Sequence, residues 1–406
     1  MYNIFISLYV FFIKLGSLFS EKAREWTKGR KHIFKALKKI EHGDGIIWFH
    51  CASLGEYEQG LPVIIKAKEK YPNHKILLTF FSPSGFKNKK HIKLIDYTFY
   101  MPADTTVNAY KFVNIVKPVF AVFVKYEFWF NTMSVLKEAN IPFIYISCNF
   151  RKNQYFFRWY GGWFRQRLRK ASHYFVQTQA SKDLLEGIRI KQVTISGDTR
   201  FDRVKSIADS EYTDNIIEQF IGNSKVFIAG STWNNDEIII NTAFKTIKDY
   251  KLIVAPHVIT PENMSRIQFL FNGRSAFYSE YKVNKKGRNP NPDILIIDCI
   301  GILSRIYRYA DIAYIGGGFG KGIHNILEAA VYGVPVIFGP KYNIYNEAVQ
   351  LLACGGAYCI SNAPELHDIL DKFNSNDFLS EAQNACNKYI LENLGATDKI
   401  IDKINI

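Results

Sequence analysis

Cysteine is scarce in this chain, six residues in 406, and no two of them form a C-x-x-C pair. That argues against a disulfide-stapled frame or a cysteine zinc site and points to reduced, mostly buried thiols in a cytoplasmic compartment. No G-x-G-x-x-G stretch, no G-x-x-x-x-G-K-[ST] stretch and no D-x-D stretch occurs. A dinucleotide fingerprint, a P-loop and a metal-bound nucleotide therefore find no support. Acids are outnumbered: 37 Asp and Glu against 52 Lys and Arg give a net charge of +15, which asks for an anionic partner. No clean apolar run reaches the about 20 residues of a spanning helix. The most apolar stretch, residues 2–20, carries Lys14 near its middle. No basic region precedes it and no small-residue cleavage site follows, which argues against a secretory signal.

What is present is a globular composition, 48% hydrophobic and 22% charged, on a length that suits two domains. From residue 46 onward, short apolar runs alternate with amphipathic stretches. Strands are expected at 46–50, 75–80, 119–124, 143–147, 174–177 and 192–196, with helices such as 57–70 and 131–139 between them. Around 197–208 the pattern loosens into a polar connection; strands resume at 226–229, 251–255, 294–298, 312–315 and 336–338. This order predicts βαβ units and parallel sheets, hence an α/β protein with two doubly wound domains. The divisions are 1–40 (apolar helix and basic segment), 41–200 and 201–406, with the last helix packing back on the first domain.

Behind the apolar stretch, Lys22, Arg24, Lys28, Arg30, Lys31, Lys35, Lys38 and Lys39 face only Glu21 and Glu25. The positive-inside rule keeps such a block cytoplasmic, and it attracts anionic lipid. A second basic block at 151–170 has no acid and is interleaved with Tyr155, Phe156, Phe157, Trp159, Tyr160, Trp163 and Phe164. Such a mixture suits a membrane interface or single-stranded nucleic acid. Beside an apolar N-terminal helix the membrane is preferred and no nucleic-acid partner is expected. The N-terminal stretch is read as an anchor dipping into the inner leaflet. Its plain alternative is a core helix with a solvated basic face.

Ligands of doubly wound sheets bind beyond the carboxyl ends of the strands, so the loops there are the candidate sites. Ser53-Leu54-Gly55-Glu56 follows the first strand and opens a helix; Gly55 permits close backbone approach, and Glu56 is a helix-dipole acid or a general base. Ser82-Pro83-Ser84-Gly85 is a turn able to hold hydroxyls or cap a helix. Lys125 and Glu127 end another strand, as a site or a surface pair. In the second half the corresponding residues are Ser231 and Thr232, Pro256 and His257, and the run Gly316 to Glu328. That run is expected to be a phosphate cradle leading into a helix. It would place His324 and Glu328, four apart, on one helix face, where they grip ribose and phosphate.

At these residues the sequence resembles the 3-deoxy-D-manno-octulosonic acid (Kdo) transferases of lipopolysaccharide synthesis. The family's S-V-G-E loop corresponds to Ser53-Leu54-Gly55-Glu56, its T-P-T-G to Ser82-Pro83-Ser84-Gly85, and its G-x-L-K-F-D to Gly197-Asp198-Thr199-Arg200-Phe201-Asp202. The long glycine-rich block corresponds to Gly316 through Pro340. The resemblance implies a glycosyltransferase-B fold, two Rossmann-like domains facing a cleft, with a membrane-associating N-terminal helix at the cytoplasmic face of the bacterial inner membrane. It implies CMP-Kdo as donor, the tetraacyl disaccharide 1,4'-bisphosphate precursor of lipid A as acceptor, anionic lipids as surroundings, and neither cofactor nor metal. Glu56 would be the general base and Arg200 the transition-state stabiliser, with Glu127 or Lys125 auxiliary. The donor would lie against Ser231, Thr232, Pro256, His257, Ile300, Gly301, Ile302, Gly317, Gly318, His324, Asn325, Ile326, Leu327 and Glu328. The acceptor would lie against Ser53, Gly55, Ser82, Ser84 and Gly85.

The chain departs from the family pattern in places. Lys125 stands where the family's E-T-E-L-W-P-N has its first Glu. Pro256 stands for the Arg of P-R-H, and Ile300-Gly301-Ile302 for M-G-E. The first change bears on a transition-state role, for which Glu127 or Lys125 would substitute; the other two bear on the donor pocket, so a UDP-sugar-dependent glycosyltransferase acting on another lipid is the alternative.

Overall fold

The computed structural model describes residues 2–88, 93–282 and 292–405. The chain divides into two compact units, Met1–Arg203 with Leu394–Ile406, and Val204–Asn393. In the first, runs of β-branched and aromatic residues form β1 (Ile46–Cys51), β2 (Lys75–Phe80), β3 (Tyr97–Tyr100), β4 (Pro118–Val124), β5 (Phe143–Cys148), β6 (His173–Val176) and β7 (Val193–Ile195). They pair in parallel in the order β3-β2-β1-β4-β5-β6-β7. β1 and β5 are buried along their whole length, as a sheet covered on both faces requires.

The second unit repeats the plan with β8 (Lys225–Thr232), β9 (Tyr250–Pro256), β10 (Ser275–Phe277), β11 (Ile294–Ile296), β12 (Ile312–Ile315), β13 (Val336–Phe338) and β14 (Ala357–Cys359). Their order is β10-β11-β9-β8-β12-β13-β14, again all parallel. The order of strands turns about β1 and β4 in the first sheet and about β8 and β12 in the second, where β10 also lies outside β11. Loops diverge there, leaving a crevice in which such sheets take ligands.

Two local expectations are corrected. Residues 199–208 are not a loose connection but a helix, Thr199–Ala208. Phe201 and Val204, three apart, are both buried, and Thr199 Oγ1 donates to Gln59 O at 2.6 Å, so the segment docks on the helix Leu54–Lys70. Strands β3, β10 and β14 were not expected at all. The helix Ala396–Ile401 packs in the first unit: Asp202 accepts from the backbone N–H groups of Gly395 and Thr397 at 2.8 and 2.7 Å.

The apolar N-terminal stretch forms the helix Tyr2–Gly16, in which only Ile6 is buried. Phe5, Phe11 and Phe12 on this helix, and Leu18 and Phe19 beyond it, are exposed. No helix among the described residues is long and apolar enough to cross a membrane.

Candidate active site

In the first unit the site forms where β1 gives way to the helix Leu54–Lys70. Ser53 caps that helix, its Oγ accepting from Glu56 N at 3.4 Å, and this fixes Glu56 in the first turn. The Glu56 carboxylate turns back to accept from Ala52 N. Burial, and next the negative charge of Glu127, push its pKa from 4.5 up to about 7; the Ala52 hydrogen bond and the Lys125 cation pull the other way. Those two neighbours arrive from the end of β4, on the opposite side of the reversal point. Lys125 takes a left-handed φ of 63°, a conformation that costs a non-glycine residue free energy. Its N–H is held by Ile146 O at 2.8 Å.

Glu127 lies 3.4 Å from His50 Nε2. His50, itself fully buried, centres a network that sequence reading missed. Trp129 Nε1 donates to His50 Nε2 at 2.9 Å, and since indole is only a donor, Nε2 accepts and Nδ1 carries the proton. Nδ1 then donates to Thr79 Oγ1 at 2.8 Å, which also accepts from Trp48 Nε1 at 2.8 Å. The only sequence signal was a histidine closing an otherwise apolar strand.

The acceptor-loop candidates come together. Gly85 packs so closely that an added Cβ would stand 2.5 Å from the Phe80 ring and 3.1 Å from the Ser53 backbone, which holds the two serine loops side by side. Ser82 Oγ and Ser84 Oγ are 2.9 Å apart. A Cβ on Gly55 would meet nothing within 4 Å, so that side of the loop is open. Arg200 sits at the start of the helix docked on Leu54–Lys70, and its guanidinium pairs with Asp198 at 2.7 Å.

The second unit's candidates cluster at its own reversal point, with a different use of glycine from the expected one. The N–H of Gly316 donates to Gly230 O, that of Gly317 to Asp236 Oδ2, and those of Gly320 and Gly322 to Gly317 O. These amides are engaged inside the protein, which corrects the idea that they cradle a phosphate. The glycines serve close packing: a Cβ on Gly316 would lie 2.3 Å from Ser231 O, and one on Gly318 2.6 Å from Gly339 backbone. Asp236 ties the loop down, accepting also from Trp233 N at 2.8 Å and Tyr314 OH at 2.7 Å.

The expected His324–Glu328 helix face is likewise corrected, because the helix is short, Leu327–Ala330, and starts after His324. Glu328 takes a hydrogen bond from Asn325 Nδ2 at 3.1 Å. His324 instead joins a stack of three rings: Trp233 on His257 at 4.8 Å, and His257 on His324 at 4.4 Å. Trp233 Nε1 donates to His324 Nε2 at 3.1 Å. Burial, and next His257, hold the His324 pKa down at about 4, so that ring is neutral near pH 7. Trp233 was not singled out in the sequence. Pro256 is buried, while Ile300 is 90% exposed beside Gly301, whose φ is 95°. Among the described residues, no group of three or more His, Cys, Asp or Glu side chains could hold a metal ion.

Two parallel α/β units of this kind resemble the glycosyltransferase-B fold. MurG of Acinetobacter baumannii superposes with a TM-score of 0.56 at 12% identity, over 88% of this chain and 98% of its own. UDP-GlcNAc 2-epimerase of Neisseria meningitidis does so at 0.61 and 16%, over 88% and 98%. Likeness at this level shows the fold. Residues 24–203 match the family described as 3-deoxy-D-manno-octulosonic-acid transferase (kdotransferase). A 3-deoxy-D-manno-octulosonic acid transferase of Aquifex aeolicus is 27% identical over 82% of this chain and 89% of its own. A bifunctional glycosyltransferase/methyltransferase of Fusobacterium nucleatum is 26% identical over 92% of this chain; the chain spans 58% of that relative's length. Together these matches make the chain similar to the Kdo transferases over most of its length.

Proposed function

We propose that the protein is an inverting, metal-independent glycosyltransferase that moves Kdo from CMP-Kdo to the tetraacyl disaccharide 1,4'-bisphosphate precursor of lipid A. The observation that carries this reading is Glu56, a carboxyl at the sheet's reversal point whose pKa is raised to about 7. A base poised near neutrality is strong enough to take a proton and still deprotonated for much of the time. In the proposed step Glu56 removes the proton of the acceptor's hydroxyl. The oxygen attacks the anomeric carbon from the face opposite CMP, and the bond to CMP breaks with its electron pair leaving on the phosphate. Arg200 offsets charge in the transition state, and Lys125 and Glu127 set the proton affinity of Glu56. Ser53, Gly55, Ser82, Ser84 and Gly85 line the acceptor side. The second unit binds the nucleotide, with Trp233, His257 and His324 as its ring platform.

The net charge of +15 suits an acceptor with two phosphates in an anionic membrane. The exposed apolar residues of the helix Tyr2–Gly16 support association with the cytoplasmic face of the inner membrane. Detergent-solubilised protein should convert CMP-Kdo and the tetraacyl acceptor to a heavier glycolipid, in the presence of EDTA, while Glu56→Gln should not. Folded wild type that makes no product from CMP-Kdo but does from a UDP-sugar would overturn the donor assignment in favour of the alternative.

A further inference from the structure

An aromatic cavity of about 680 Å³ in the first unit is lined by Tyr2, Phe5, Phe130, Tyr155, Trp163 and Phe164. A second cavity, of about 330 Å³, shares Tyr2, Phe5, Phe130 and Tyr155 with it and continues to Glu127 and Trp129. The two make one apolar path that starts at the N-terminal helix and ends beside the carboxylate that faces Glu56. Its walls are preformed. Tyr2 OH donates to the buried Asp104 at 2.8 Å, and Asn3 Nδ2 donates to Thr106 Oγ1 at 2.8 Å, so the first turn of the helix is pinned to the body. Phe130 packs edge-on against Tyr2 and Trp163, each at 5.3 Å.

An apolar path this size left open to water is a binding site or a liability, and its surroundings say for what. Its outer end lies among the exposed rings of Phe5, Tyr155 and Trp163. The segment that supplies three of the walls is basic without any acid, residues 151–170, and Arg167 caps the Trp163 ring at 4.0 Å. Apolar walls with a cationic rim complement an anionic amphiphile, whose chain fills the path and whose head meets the arginines.

Resting on the reading above, we infer that this path holds one acyl chain of the phosphorylated lipid acceptor and so measures the acceptor hydroxyl into place against Glu56. The test uses full-length protein in anionic nanodiscs with a tetraacyl disaccharide bisphosphate bearing a diazirine on one acyl chain. After illumination, the label should fall on residues 2–9 and 155–164, and excess unlabelled acceptor, but not bulk phospholipid, should compete. Phe5→Asp places a carboxylate at an exposed wall position, where folding is spared, and should cut labelling of 155–164 at least about tenfold, the loss of one to two buried methylenes. Phe12→Asp, on the same helix but outside the path, should not. Each methylene removed from the chain should weaken binding about fourfold until the path is empty. Label spread evenly over Phe11, Phe12 and Phe19, or equal effects of the two variants, would overturn the inference and leave a surface contact only. Groove labelling without any product would sink the Kdo reading but not the path; product with scattered label would do the reverse.

Discussion

After β1, a carboxyl sits half-buried between a second acid and a lysine, with its proton affinity displaced by about what burial and a like charge produce. After β8 and β12, the same position in the other sheet holds glycines pressed against backbone and a stack of neutral rings. Both sets of loops are brought together by the same topological reversal. The sheet thus decides where a site forms, while burial of charge in one unit and of shape in the other decides what it can do. On the proposed function, the first would move a proton and the second would hold a flat, polar molecule.

Glu56→Gln would break this contrast most deeply. If the first unit does the proton chemistry, turnover falls about 10²–10⁴-fold while CMP binding, by calorimetry, is unchanged. An equal loss of CMP affinity would show that the two sites are not divided in this way. Next, Trp233→Ala removes one ring of the stack and its hydrogen bond to His324. Base–aromatic stacking is worth about 1–3 kcal/mol, so nucleotide affinity should drop about tenfold or more, with acceptor KM and the pH profile unmoved. Gly318→Ala tests whether the glycines serve packing: its Cβ would press on Gly339 backbone, and such overpacking costs about 1–3 kcal/mol. Thermal unfolding should show the loss, and unchanged stability would return the loop to a purely ligand-binding role.

The sequence made the interior of this architecture legible and its margins not. β2, β12 and β13 are where the apolar runs placed them, because a strand buried on both faces leaves an unbroken hydrophobic signature. β3, β10 and β14 escaped notice because each lies at or beside the limit of its sheet and is only partly buried. Half-exposed edge strands of three or four residues carry few apolar positions, and of the four such strands here only β7 coincides with an expected run, 192–196. The helix Thr199–Ala208 escaped because its two buried apolar residues sit among six charged or hydroxyl side chains. At the site, Glu56 and the two serine loops were legible from their place after strands. The network of His50, Thr79 and Trp129 was not, since it joins three elements distant in sequence. The tightly packed glycines were visible as composition, but whether their N–H groups face a ligand or the protein depends on Asp236, some 80 residues away.

The smallest expected effect is also the most specific to the first unit. If Glu56 is the base, it acts in its deprotonated form, and wild-type turnover should fall as pH falls through about 7. Glu127→Gln removes the neighbouring negative charge, the second largest cause of the displacement. The acid limb should then move to lower pH, yet stay above 4.5 because burial, the largest cause, remains. Lys125→Met removes a cation that favours the carboxylate and should move the limb upward. The same proton has a stability signature. Between about 4.5 and 7 the native carboxyl keeps a proton that the unfolded chain has released, so stability falls as pH rises across that window and levels off above it. Glu56→Gln abolishes that slope, whereas Trp233→Ala leaves it intact. A limb that ignores both Glu127 and Lys125 would mean that another group carries the proton, and the contrast between the two units would have to be redrawn around it.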